Sequence, residues 1–127
     1  MATINNINPF IVRVNGLKIE LVYNPGDRSV GFGEIKLRKH TSYGDYVSFG
    51  ETREAVRKFL AIWKTIESEA AEAHAEACRA YNNALDHLNQ ISAKDYLVLD
   101  AKTETTSVAY HDAYAIRSHL ERIVKTF

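Results

Sequence analysis

Cysteine is almost missing from this sequence, since Cys78 is the only one in 127 residues. A single thiol excludes an internal disulfide and any multi-cysteine zinc site, and it is typical of proteins from a reducing compartment. No apolar run approaches the length that crosses a bilayer, and the N-terminal MATINNINPF lacks the basic and apolar regions of a secretory signal. We therefore expect a cytoplasmic protein without a membrane partner.

An excess of charge of either sign is also missing, because sixteen basic side chains balance sixteen acidic ones. A neutral chain generates no long-range field that would draw it to nucleic acid or to an anionic membrane. Any charged partner must be recognised by a local patch.

Glycine and proline are absent after Gly50, whereas all six glycines and both prolines lie before Glu51. At this length we expect a single domain, 1–127, with a turn-rich β-sheet half at 1–50 and a helical half at 51–127. The expected class is α+β.

The first half predicts a meander of four or five antiparallel strands. Asn15-Gly16 is a strong hairpin signal, and Leu17, Ile19, Leu21 and Tyr23 alternate with polar residues, which indicates one buried face. The remaining predicted features are a turn at Asn24–Asp27, a bulge or bend at Gly33, a hairpin turn at Ser42–Asp45 and a last strand at Tyr46–Phe49.

The stretch from Glu51 to Ile91 predicts one long amphipathic helix, with a possible break at Asn82–Asn83. Ser48-x-x-Glu51 has the pattern of a capping box at its start. A helix of this length spans roughly 60 Å, more than a small sheet can cover, so part of it must pack on a second helix or on a second copy. We therefore expect a homodimer or a higher homo-oligomer.

A second helix is predicted from Ser107 onward, where Ala109, Ala113, Ile116 and Leu120 repeat at helical spacing. It should pack antiparallel on the long helix. Between the two, Tyr96–Leu99 is compatible with a short strand or a helical turn, and Lys102–Thr106 is typical of a polar connection.

Motifs for catalysis, metals and cofactors are missing. His74-Ala75-Glu76 resembles the H-x-E of zinc deaminases, but the P-C-x-x-C that would complete the zinc site is absent. His74 and Cys78 supply half of a metal site at most. Gly31-Phe32-Gly33 does not make a dinucleotide fingerprint, and Ser118-His119 makes no triad. We expect no enzyme activity, no metal and no cofactor.

Two patches suit binding. On the helices, Tyr110, Tyr114 and Arg117 lie at i, i+4 and i+7 with His111 adjacent, and Arg53 and Arg57 lie one turn apart. These six residues are the predicted contacts for a small anionic ligand that contains a base. The alternative is that the tyrosines widen the apolar stripe and the arginines are solvated.

The second patch surrounds the last predicted hairpin. Basic and aromatic side chains alternate there, an arrangement that can neutralise phosphates while rings stack on bases. Protection of an edge strand by charge explains the same pattern. The residues are Lys36, Arg38, Lys39, His40, Tyr43 and Tyr46.

Two family resemblances bear on function. Glu34–Arg38, a glycine turn and Tyr46–Phe49 leading into the helix resemble the coactivator PC-four and whirly-type domains over residues 10–66. That resemblance implies a dimer that grips single-stranded nucleic acid. In size and architecture the whole chain is similar to phage Thoeris anti-defence proteins. Those are sponges that bind cyclic ADP-ribose-type signals between subunits and thereby keep a bacterial immune effector inactive.

The second resemblance implies ligand contacts on arginines and aromatics of the helices, and a site of action in the host cytoplasm. We favour sequestration of a small nucleotide signal, because it needs no catalytic group, metal or net positive charge. Binding of single-stranded nucleic acid and a protein-binding inhibitor or scaffold are the alternatives.

Overall fold

The computed structural model describes residues 8–39 and 47–127. Three antiparallel strands, β1 (Ile11–Val14), β2 (Leu17–Asn24) and β3 (Glu34–Lys39), form one sheet in the order β1-β2-β3. Two helices follow, α1 (Phe49–Asp86) and α2 (Ala93–Val124), joined by a 3₁₀ turn at Leu88–Gln90. The predicted α+β class and the antiparallel packing of the two helices are confirmed.

The first hairpin follows the sequence prediction. Asn15 and Gly16 have φ values of 55° and 80°, the left-handed pair that a two-residue turn needs, and they set Val14 opposite Leu17. Ile19 and Leu21 are buried on one face of β2. The alternating pattern therefore predicted the face on which the helices pack.

The described residues contain three strands, fewer than the four or five predicted. The predicted last strand at Tyr46–Phe49 is wrong for its described residues, because Ser48 is the N-cap of α1 and Phe49 is the first residue of that helix. A capped helix start forces the chain out of the extended conformation immediately after the cap. Tyr46 and the predicted turn at Ser42–Asp45 lie outside the described residues.

The start of α1 has the predicted capping box. Ser48 Oγ accepts from Glu51 N at 3.2 Å, and Glu51 Oε1 accepts from Ser48 N at 3.3 Å. Lys39 Nζ lies 3.0 Å from the same carboxylate and ties the end of β3 to the helix. The hydrogen bond from Ser48, then Lys39, lowers the pKa of Glu51. Its negative charge also suits the positive end of the helix dipole.

The long helix is unbroken at Asn82–Asn83 and ends at Asp86, five residues before the predicted Ile91. The second helix begins at Ala93, well before the predicted Ser107, so neither a strand at Tyr96–Leu99 nor a polar connection at Lys102–Thr106 exists. Ser92 Oγ caps α2 by accepting from Asp95 N at 3.1 Å. Hydroxyls of the threonines donate to carbonyls one turn earlier, as Thr103 does to Leu99 O at 2.9 Å, which makes these residues compatible with a helix.

The buried core occupies one end of the helix pair. Trp63 also donates from Nε1 to Pro9 O at 3.0 Å and so fixes the chain that leads into β1. No helix in the described segments is apolar enough over its length to cross a membrane. The core side chains come from β1, β2, α1 and α2 and are Val12, Val14, Ile19, Leu21, Ala55, Val56, Phe59, Trp63, Ala113, Ile116 and Leu120.

We call the part that contains this core (8–39, 47–68 and 110–127) the head. The helices continue beyond it as a two-helix extension, residues 69–109, which we call the arm. In the arm, the buried hydrophobic residues among those described are Ala77 and Ala84.

Candidate ligand-binding site

Three aromatic rings meet where the β2–β3 loop crosses α2. The Phe32 ring centroid lies 5.4 Å from that of Tyr114 and 5.8 Å from that of His111. Phe32 is nevertheless 41% exposed and Tyr114 38% exposed. We call Phe32, His111 and Tyr114 the aromatic platform. Its rings offer a surface on which a planar group can stack.

The loop that carries Phe32 is held on α2 by several polar contacts. Arg28 donates from Nε and Nη2 to the two carboxylate oxygens of Asp112, each at 2.8 Å. The Phe32 carbonyl oxygen lies 3.2 Å from Tyr23 Oη and 3.3 Å from His119 Nε2. Because a carbonyl only accepts, His119 must carry its hydrogen on Nε2 to make this bond. These contacts fix the position of a loop residue whose ring stays open to solvent.

Electrostatics keep this arrangement in one protonation state at neutral pH. The hydrogen bond from Arg28 lowers the pKa of Asp112, so its carboxylate stays ionised. Burial, together with the negative charge of Asp112, raises the pKa of Tyr23, so its hydroxyl remains a donor.

Gly33 allows the loop to return to the sheet. Its φ is +68°, and a Cβ at this position would collide with Asn24 O and lie 2.8 Å from Pro25 Cα. The bulge or bend predicted at Gly33 would lie outside the strands, because β3 begins only at Glu34 and Gly33 precedes it in a left-handed conformation.

Arg117 lies beside the platform, as the sequence predicted, but it is already paired. Its guanidinium carbon is 4.9 Å from the Tyr114 ring centroid. Nε donates to Glu67 Oε2 at 2.7 Å and Nη1 to Glu121 Oε2 at 3.3 Å. The hydrogen bond to Glu67 raises the pKa of Arg117, whose side chain is 18% exposed. Arg117 therefore links α1 to α2 and supports the Tyr114 ring from the side.

Tyr110 faces the contact between the helices. Its ring stacks on His74 with centroids 6.3 Å apart. His74 Nδ1 lies 3.0 Å from Thr106 Oγ1, and His74 Nε2 lies 3.5 Å from Cys78 Sγ. His74 and Cys78, the predicted half of a metal site, thus contact residues of the helix pair itself.

Arg53 and Arg57 are exposed on α1 and do not join the platform within one chain. Glu67, the α1 partner of Arg117, lies ten residues beyond Arg57, which corresponds to about 15 Å of helix axis. The structure brings together His111, Tyr114 and Arg117 from the predicted set, and it separates them from Arg53 and Arg57.

A groove next to the platform contains residues that sequence reasoning missed. Its volume is about 310 Å³, and it lies between the start of β3 and the last turns of α2. His119 lines this groove and also contacts the Phe32 carbonyl. Arg122 makes no ion pair with any other described residue. The groove could have been predicted from the spacing of His111, His119 and Arg122, which places these residues on one side of a helix over three turns. The lining residues are Glu34, Ile35, His119, Arg122, Ile123 and Thr126.

The alternative nucleic-acid patch is partly neutralised. Arg38 Nη2 lies 2.6 Å from Glu20 Oε1, and Lys39 pairs with Glu51. Lys36 is exposed on β3, which is an edge strand of the described sheet. This arrangement fits charge protection of a sheet edge. His40, Tyr43 and Tyr46 lie outside the described residues.

Comparison with family models, with curated proteins and with solved structures finds no match to this chain. The function is therefore argued from geometry and chemistry.

Proposed function

We propose that this protein is a non-enzymatic binding protein that captures a small, planar, anionic ligand of the nucleotide type on the aromatic platform. The observation that carries the proposal is the fixed but exposed ring of Phe32. Its loop is held by a bidentate ion pair and by two contacts to its own carbonyl, while the ring is 41% exposed. A ring that is already ordered loses little entropy when a ligand stacks on it.

The charged part of the ligand is expected in the neighbouring groove. Arg117 is compensated by Glu67 and Glu121, so it has little charge to offer an anion. Arg122 lies at the groove, which is at the lower end of the size range for small-ligand pockets. His119 also lines the groove, but its Nε2–H is donated to the Phe32 carbonyl. A nucleotide whose base stacks on Phe32 and Tyr114 and whose phosphate points toward Arg122 would contact both the aromatic platform and the groove.

Sequestration of a cyclic ADP-ribose-type signal, the activity implied by the resemblance to Thoeris anti-defence proteins, requires only stacking and charge. Both are available here. Arg53 and Arg57 would have to come from a second copy to contact the same ligand, because the distance along α1 separates them from the platform of their own chain.

The test is isothermal titration calorimetry with cyclic ADP-ribose, ADP-ribose and AMP as probes. Removal of one stacking ring costs about 1–3 kcal/mol, so Phe32→Ala should weaken binding by roughly 5-fold to 150-fold. Arg122→Ala should weaken the phosphate-bearing probes. Val30→Ala is the matched control, since Val30 is an apolar residue of the same loop and is 82% exposed.

Absence of binding by all three probes, or equal binding by wild type and Phe32→Ala, would refute the proposal. A salt titration separates the main alternative. If a single-stranded oligonucleotide binds instead, and its affinity falls steeply with salt as phosphate contacts require, the function is nucleic-acid binding.

A further inference from the structure

Several large apolar side chains of the arm are exposed, although Ile91 and Leu99 are half-buried. The contact between its helices includes polar pairs. His74 meets Thr106, and the hydroxyls of Tyr81 and Tyr96 lie 2.8 Å apart. By contrast, Leu97 is 63%, Val98 59% and Leu88 56% exposed. The large apolar groups therefore lie where a partner can cover them.

A separate depression lies at the tip of the arm, and its lining does not include Leu88, Leu97 or Val98. Its volume is about 660 Å³, and it opens between the end of α1, the 3₁₀ turn and the start of α2. Ala84, Ile91 and Leu99 form apolar walls, while Asn83 and Gln90 supply hydrogen-bonding groups. A tip of this shape can receive side chains from another surface.

The arm has few fully buried apolar side chains of its own. Helices in proteins are stabilised mainly by packing of an apolar face, and the buried hydrophobic residues of the arm are two alanines, Ala77 and Ala84, among the residues described. The fully buried residues of the core cluster all lie in the head.

Charge identifies the surface that fits the arm. Residues 69–109 contain seven acidic and three basic side chains, a net charge of −4, and because the whole chain is neutral the remainder carries +4. Two arms packed side by side in parallel would repel each other, because each carries a net charge of −4. Two copies in antiparallel orientation set each acidic arm against a basic head.

We propose that the arm docks on a second copy of this chain in an antiparallel, two-fold pair, with the apolar tip of each arm directed to the head of the other copy. An isologous pair closes after two subunits and leaves no open surface for further growth. The arm contains residues 69–86 of α1 and 93–109 of α2, about 27 Å of helix axis, so a face two helices wide offers on the order of 500 Å². In the two-fold pair each copy also buries the part of its head that receives the other arm, which brings the buried area to the standard size of about 800 Å² per copy. This proposal does not depend on the ligand site.

The first test is light scattering after size exclusion, with analytical ultracentrifugation over a range of protein concentrations. The wild type should be a dimer, and Leu97→Asp with Val98→Asp should raise the dissociation constant by about 100-fold or more, because two-fold symmetry removes each contact twice. Val30→Ala, which leaves the charge of the head unchanged at a residue that is 82% exposed, is the control and should leave the dimer intact. Circular dichroism checks that the double variant keeps its helices.

A second pair of variants tests the orientation without changing apolar contacts. Asp100→Asn with Glu104→Gln removes two exposed acidic charges from the arm. In the antiparallel pair this weakens association, and added salt does the same to the wild type. In a parallel pair both changes strengthen it.

A wild type that stays monomeric at every concentration overturns the proposal, and so does a dimer that survives the two aspartates. Association that strengthens after charge removal overturns the antiparallel arrangement. A monomer that binds a different protein through Leu97 and Val98 assigns the surface to that partner and likewise refutes a second copy as the occupant.

Discussion

Replacement of Asp112 by asparagine tests whether the ion pair with Arg28 holds the β2–β3 loop on α2. The carboxylate accepts two bonds from Arg28 at 2.8 Å and lies 3.4 Å from Tyr23 Oη and 3.7 Å from His111 Nδ1. Asparagine keeps the shape of the side chain but removes the charge and one of the two acceptors. The change therefore isolates the electrostatic contribution of the pair.

The expected magnitude follows from exposure. The side chains of Arg28 and Asp112 are 42% and 24% exposed, so the pair lies between a solvated surface pair, worth about 0–1 kcal/mol, and a buried one, whose disruption costs about 3–5 kcal/mol. Bidentate geometry places it toward the upper part of the surface range. We expect Asp112→Asn to reduce the free energy of unfolding by about 1 kcal/mol.

Urea denaturation of the wild type, Asp112→Asn, Arg28→Gln and the double variant gives the coupling free energy of the pair. A value near 1 kcal/mol is expected. A coupling below about 0.3 kcal/mol would mean that solvent already replaces this contact, and that the ion pair does not order Phe32.

The pH dependence of the same pair has a definite sign. Because the folded pKa of Asp112 is lowered, its stabilising contribution is fully present above the unfolded pKa, about 3.9, and is lost as pH falls through the folded pKa. The stability difference between wild type and Asp112→Asn should therefore shrink as pH falls below about 4. A difference that grows below about pH 4 contradicts the assigned charge state.

Two further substitutions probe the scaffold of the site, each measured by thermal or urea unfolding. Gly33→Ala should reduce the free energy of unfolding by about 2 kcal/mol or more, because a positive φ is combined with a collision with the backbone. Gly26 has a positive φ but no atom within 4 Å of an added Cβ, so Gly26→Ala should cost about 1 kcal/mol. Equal costs would refute the collision. Phe59→Ala removes a fully buried ring and should reduce the free energy of unfolding by about 3–5 kcal/mol. Phe49 is 67% exposed, so Phe49→Ala should change it by about 0.5 kcal/mol. A small loss at Phe59 would place the core elsewhere.

The parts of the fold that the sequence predicted are those with local causes. Asn15-Gly16 fixes a two-residue turn because both residues tolerate positive φ. Ser48 and Glu51 satisfy each other's backbone donors across three residues. In each case the interacting groups are close in the chain, so spacing alone is sufficient information.

The wrong predictions arose where two local signals competed. The sequence at 46–49 has the composition of a strand, but it also contains the cap of α1, and at Ser48 and Phe49 the cap determined the conformation. The threonines from Thr103 to Thr106 disfavour helix by intrinsic propensity. Antiparallel contact with α1, together with hydroxyl bonds to earlier carbonyls, outweighs that preference.

The site could be predicted only in part because its decisive contacts join distant residues. Tyr114 and Arg117 were found from helical spacing, but Glu67, which neutralises Arg117, is fifty residues away. Arg28 and Asp112 are 84 residues apart, and their pairing is one of the contacts that hold the loop of Phe32 on α2. No periodicity in the chain encodes such a contact.

The two proposed surfaces meet near residue 110, where the arm leaves the head. The aromatic platform is complete within one chain, since Phe32, His111 and Tyr114 contact one another there. Arg53 and Arg57 do not reach the platform of their own chain. An antiparallel second copy places the arm and head of another chain beside it. Binding that persists in monomeric Leu97→Asp/Val98→Asp protein therefore assigns the ligand to the platform alone. Binding that is lost together with the dimer assigns part of the site to the second copy, because both substitutions lie more than ten residues from the platform along α2.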